Sequence, residues 1–165
     1  MRRFFLAAGF SLIELLILCL IVGILSVFVA TEFYVSTTNT KLGAAAAKLR
    51  TDIIYAQSLS FSQQVNHGVI FTPPSTYSVY RQTISNIVPN PLSGDVYTVN
   101  YATDSTFNGI TFSLPSFGSR LEFDERGIPY SDGGVTPLVS DGTITLSNGI
   151  ANVTVTVTKN TGKVS

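Results

Sequence analysis

The chain has 165 residues, ten Lys or Arg, ten Asp or Glu and a single histidine, for a formal net charge of zero. That balance excludes a general electrostatic attraction to nucleic acid or anionic lipid. One cysteine excludes a disulfide within the chain, so whatever folds must do so on its apolar core. The length suits one domain plus a membrane anchor.

The first element is basic and then apolar. Met1-Arg2-Arg3 precedes an apolar run that contains one charge near its start, Glu14, and none from Leu15 to Thr31. About 20 apolar residues are enough to cross a bilayer as a helix, and the preceding arginines place the N-terminus on the cytoplasmic side. A carboxylate inside such a helix costs roughly 2.5–3.5 kcal/mol on insertion scales, so Glu14 needs a partner. An ordinary cleaved signal peptide and a plain anchor are the rival readings. The run exceeds the usual 7–15 residues of a signal peptide, and Phe28 stands where a small residue is wanted before a cut at Ala30. Neither rival gives Glu14 a purpose. Cys19 lies within the run as a small apolar-facing residue.

Gly9-Phe10-Ser11-Leu12-Ile13-Glu14 resembles the prepilin processing motif of type IV pilins and type II secretion pseudopilins. The resemblance continues through Leu15-Leu16-Ile17 and Ile21-Val22-Gly23-Ile24-Leu25. It implies that a prepilin peptidase cleaves after Gly9 and that the new N-terminal Phe10 is N-methylated. Phe10 and Glu14 are four residues apart, so they share one helix face about 6 Å apart along the axis. An ammonium at Phe10 and a carboxylate at Glu14 offset each other where the dielectric is low. The resemblance implies that they do so between neighbouring subunits. Many type IV pilins carry a proline where Thr31 stands. This chain has none before Pro73, which predicts a helix that runs straighter there or melts by another route.

Beyond Thr31 the pattern becomes amphipathic. Leu42, Ala46, Leu49, Ile53 and Ala56 recur at steps of four and three, one stripe of a helix. Lys48 and Asp52 stand at i,i+4 and offer each other modest support. The helix is expected to end near Asn66-His67-Gly68, with Gly68 as its left-handed stop. From residue 10 to 66 it would measure ~85 Å. Strands are expected over 68–72, 76–82, 95–101, 109–114, 120–123, 143–146 and 151–158, the last a strict Val-Thr alternation. Pro73-Pro74, Pro89-Asn90-Pro91, Ser131-Asp132-Gly133-Gly134, Ser140-Asp141-Gly142 and Asn148-Gly149 mark turns.

The helix end Leu49-Arg50-Thr51-Asp52-Ile53-Ile54-Tyr55-Ala56-Gln57-Ser58-Leu59 resembles that of the GspH/FimT group of minor pseudopilins and minor pilins. Leu121-Glu122-Phe123-Asp124-Glu125-Arg126-Gly127-Ile128-Pro129 resembles its sheet region, and Gly162-Lys163-Val164 its closing signature. The expected fold is α+β and pilin-like, a long N-terminal helix packed on a C-terminal antiparallel sheet domain. Its parts would be a leader (1–9), a transmembrane half-helix (10–31), an amphipathic half-helix (32–67) and a β-rich periplasmic domain (68–165). The resemblance implies a single-pass inner-membrane protein incorporated into a pilus or pseudopilus. Its partners would be the prepilin peptidase, other pilins or pseudopilins, and the membrane.

Little in the chain marks catalysis, and no cofactor is expected. His67 stands at the expected helix end, where it would cap carbonyls or meet the helix dipole. Asp124, Glu125, Asp132 and Asp141 occur at turns, as calcium ligands or as solvated carboxylates, without the spacing of a calcium loop. Asn152-Val153-Thr154 matches a glycosylation sequon within a strand pattern. Some FimT-like minor pilins bind DNA through basic residues near the C-terminus. Lys159 and Lys163 occupy that region here, with Arg120 and Arg126 elsewhere in the sheet. Two lysines supply few phosphate contacts, so such binding would be weak and salt-sensitive. The function expected first is a structural, non-enzymatic minor pseudopilin of a type II secretion system, GspH-like. The alternative is a FimT-like minor pilin in type IV pilus assembly or DNA uptake.

Overall fold

A computed structural model describes residues 10–131 and 135–165, with the side chains of 28–36 left aside. The leader, including Gly9, and the turn residues Asp132, Gly133 and Gly134 lie outside the described residues. Among the described residues one helix, α1 (Leu12–Gln63), is followed by ten strands. They are β1 (His67–Thr72), β2 (Thr76–Arg81), β3 (Thr83–Ile87), β4 (Thr98–Asn100), β5 (Thr111–Phe112), β6 (Arg120–Phe123), β7 (Pro129–Ser131), β8 (Thr136–Pro137), β9 (Gly142–Ser147) and β10 (Asn152–Val157). The described chain divides into two compact units between Thr37 and Thr38.

In the second unit, the expected helix stripe is the core. Leu42, Ala46, Leu49, Ile53 and Ala56 are all buried, joined by Ala45. They pack with Val69, Phe71, Tyr77, Val79, Leu121 and Phe123 from the central strands. A seven-stranded sheet runs β3-β2-β1-β6-β7-β8, with β4 also pairing β2. Strand β2 thus pairs with β4 at Thr76–Ser78 and with β3 at Tyr80 and Arg81, the latter across a bulge. The other sheet is β10-β9-β5, and every ladder is antiparallel. Each expected strand is present, though often shorter. Strands β3, β7 and β8 were not expected.

The helix stop differs from expectation. The left-handed residue is Gln64 (φ 53°), whose amide bonds the Ser60 carbonyl at 3.1 Å, while Gly68 lies inside β1. Gly68 answers a different need. It stands in register between Tyr80 and Glu122, and a Cβ there would lie 2.8 Å from the Tyr80 ring and press on the Leu121 carbonyl. Its bare backbone is the slot across which Tyr80 reaches Glu122 with a 2.7 Å hydrogen bond.

Candidate functional site

The start of α1 is built around Ser11 and Glu14. The Ser11 carbonyl accepts the amides of Glu14 and Leu15, each at 3.1 Å. Glu14 is the acidic residue of the first turn, where the helix dipole favours negative charge. Phe10 precedes the helix and is 75% exposed. From Leu12 to Val27 the large apolar side chains are exposed on every face of the helix, and Cys19 is exposed among them. Such a helix has no solvent-facing side and suits lipid or a bundle of like helices. Among the described residues no helix is long and apolar enough to cross a membrane.

The other expected site residues lie at the chain's end. Lys159 and Lys163 are both exposed in the turn after β10, closed by hydrogen bonds from Thr158 N–H to the Lys163 carbonyl and from Gly162 N–H to the Thr158 carbonyl. The Lys159 ammonium donates to the Val139 carbonyl at 3.3 Å, and its amide donates to Asp141. Arg126 pairs with Asp124 at 3.2 Å, while Arg120 is half-buried on β6. Asp124 also accepts the amides of Arg126 and Ile128, so it closes its own turn. Among the described residues no cluster of His, Cys, Asp or Glu is placed to hold a metal ion.

Three sequence motifs that are individually short meet at one residue. The Gln57 amide donates to the Gly127 carbonyl at 2.9 Å and to the Thr161 carbonyl at 3.0 Å. Helix, β6–β7 turn and C-terminal turn are thereby stitched together. Gly162 has φ 62°, and a Cβ there would lie 2.5 Å from the Gln57 amide nitrogen, so both conformation and space demand glycine.

Asp52 is more than the partner of a surface lysine. It is 1% exposed and accepts from Tyr77 Oη at 2.8 Å, Tyr97 Oη at 2.9 Å and Lys48 Nζ at 2.6 and 2.7 Å. Lys48 also sits 5.1 Å from the Tyr97 ring centroid. Burial, then the neighbouring Tyr101 and Asp52, pushes the Tyr77 hydroxyl well above its ordinary range. Burial followed by the Asp52 charge does the same for Tyr97. Both hydroxyls therefore stay protonated and donate. Neither tyrosine was foreseen as a partner, since they lie 25 and 45 residues from Asp52.

His67 does not cap the helix. It is fully buried at the start of β1, with Nδ1 2.9 Å from the Val65 carbonyl. Its Nε2 is buried without a hydrogen-bond partner among the described residues. Its amide donates to Ser60 Oγ at 3.0 Å, and that hydroxyl in turn donates to the Phe123 carbonyl. Burial holds the imidazole pKa below its ordinary 6.5. The residue ties helix end to sheet.

No family model matches the chain. It is 30% identical over 148 residues to the competence protein ComGD of Bacillus subtilis, covering 88% of this chain and 92% of that protein. Two crystal forms of the type IV minor pilin FimU of Pseudomonas aeruginosa share its fold, each with a TM-score of 0.53. They are 16% and 18% identical, over 75% and 78% of this chain and 90% of FimU. With the long helix and antiparallel sheets of the FimU fold and this extended likeness in hand, the chain belongs to the family of the competence protein ComGD.

Proposed function

We propose that the chain is a minor structural subunit of a type IV pilus-like competence filament. The observation that carries this is the stretch Leu12–Val27 of α1, apolar and exposed on every face around one first-turn carboxylate that has no ion-pair partner among the described residues. The competence relative favours this setting over others that use the same fold. In this reading the chain is made with the leader 1–9, cut after Gly9 by a prepilin peptidase and N-methylated at Phe10. Residues 10–31 hold it in the cytoplasmic membrane until Glu14 pairs with the Phe10 ammonium of a neighbour. The same pairing draws it from lipid into the filament. A GspH-like role in type II secretion rests on the same leader motif and is the second reading.

Mass spectrometry of the protein purified from its own cells tests the processing. An N-methyl-Phe10 terminus is expected, and a terminus at Met1 or Thr31 would sink the reading. Deletion of the gene separates the two machines: loss of DNA uptake with intact protein secretion is expected. DNA contact by Lys159 and Lys163 is expected to be weak, because the Lys159 ammonium is already held by the Val139 carbonyl. A gel shift of the full chain in detergent that survives moderate salt would contradict this.

A further inference from the structure

We propose that the fold makes Asn108 a site of spontaneous deamidation and shields the same dipeptide at Asn148. Asn-Gly occurs twice in the chain, as Asn108-Gly109 between β4 and β5 and as Asn148-Gly149 between β9 and β10. A glycine leaves its own amide nitrogen open to close approach, so that nitrogen can close on the asparagine side chain before it. Both glycines have positive φ, 91° and 82°, and a Cβ at either would meet nothing within 4 Å. Room for the ring therefore exists at both positions. What separates them is how the reacting groups are held.

Asn148 is half-buried and bound at every reacting group. Its Oδ1 accepts the Ile150 and Ala151 amides at 2.9 and 2.7 Å, and its Nδ2 donates to Asn39 Oδ1 on α1 at 3.0 Å. The Gly149 amide donates to Ser147 Oγ at 3.2 Å. Asn108 is exposed, and neither its side chain nor the Gly109 amide makes a hydrogen bond among the described residues. The Ile110 amide closes that turn by donating to the Phe107 carbonyl at 3.1 Å. Ring closure thus breaks no hydrogen bond at Asn108, and at Asn148 it breaks those to Asn39 and Ser147. In the step itself, the Gly109 nitrogen gives its proton to solvent and attacks Cγ of Asn108. The new C–N bond forms as the Cγ–Nδ2 bond breaks, and ammonia leaves with a proton returned by solvent. Water then opens the succinimide at either carbonyl, leaving aspartate or isoaspartate. One water is consumed, one ammonia is released, and an exposed turn gains a negative charge. The Phe107 ring, 5.4 Å from that of Tyr101, anchors the start of this turn to the core, so the change falls on the surface.

The test incubates the full, folded chain in detergent at mildly alkaline pH. Fragmentation mass spectrometry locates each amide-to-acid conversion over time, and an isoaspartate-specific methyl label marks the rearranged product. Asn108 is expected to convert at least about tenfold faster than Asn148. In urea, with the fold gone, the two rates should differ by less than about twofold. Replacing both holders, Asn39→Ala with Ser147→Ala, should speed conversion at Asn148 about threefold to tenfold and leave Asn108 unchanged. Equal rates in the folded chain would overturn the proposal. So would faster conversion at Asn148, which would mean that the Ile150 and Ala151 amides stabilise the developing oxyanion rather than lock the side chain. Conversion at Asn108 in urea but not in the folded chain, or a double variant without effect on Asn148, would overturn it as well.

Discussion

Two carboxylates on the same helix have opposite situations. Asp52 is buried and accepts hydrogen bonds from two tyrosines and a lysine of its own chain. Glu14 stands among exposed apolar side chains, with no ion-pair partner among the described residues. A charge satisfied internally serves folding. In the proposed filament, a charge in apolar surroundings that its own chain leaves unmet would serve whatever the chain joins. The difference would then separate a folded sheet domain from a helix segment completed by other subunits.

Substitution at the two positions should split along that line. Asp52→Ala removes the acceptor shared by Tyr77, Tyr97 and Lys48 and is expected to destabilise the domain by about 3 kcal/mol. That value sits at the low end for a buried pair because the Lys48 side chain is 35% exposed. Denaturant unfolding of the full chain measures it, and a loss under 1 kcal/mol would mean the network is dispensable. Glu14→Ala should leave the same unfolding midpoint unchanged and cleavage after Gly9 largely intact, while incorporation into filaments falls at least tenfold. Normal co-assembly of that variant with its partner pilins would dissolve the contrast.

A smaller effect tests how the domain closes on its own C-terminus. Gly162→Ala forces a side chain into a left-handed position against the Gln57 amide and the Gly127 carbonyl. The expected loss is about 1–3 kcal/mol. Faster amide exchange at Lys163 would show that the turn, rather than the core, has loosened. Unchanged exchange would mean that the Gln57 stitch carries no constraint.

The helix stripe from Leu42 to Ala56 was readable because period 3.6 writes a buried face directly, and β9–β10 was readable from its Val-Thr alternation around Asn148-Gly149. Strand β3 escaped because it has no buried face to impose a period, and β7 because three residues beginning with proline resemble a turn. Gly68 was misread for a physical reason: glycine after a helical run usually supplies the left-handed residue, but here Gln64 takes that strain and Gly68 is kept for Tyr80. The N-terminal pattern around Phe10 and Glu14 is local in the chain, and its reading rests on the resemblance to the prepilin motif. The Asp52 network and the Gln57 stitch were invisible because their partners lie 25 to 104 residues away and only the fold brings them together.

The smallest expected effect lies at His67, where the domain leaves one of its own polar atoms unsatisfied. The imidazole is fully buried, Nδ1 meets the Val65 carbonyl, and Nε2 meets nothing among the described residues. Protonation would place an unpartnered N–H and a charge there. Burial, helped by the Arg81 charge, outweighs the Val65 carbonyl and Glu122, which favour the charged form, so the folded pKa lies below 6.5. The unfolded chain then binds the extra proton first. Stability is fully present above about pH 6.5 and declines as pH falls below it, until the folded pKa is passed. The slope is at most ~1.4 kcal/mol per pH unit. Denaturant midpoints between pH 7.5 and 5 should show this decline, and His67→Gln should flatten it. A decline of equal slope in the variant would assign the acid sensitivity to the carboxylates instead.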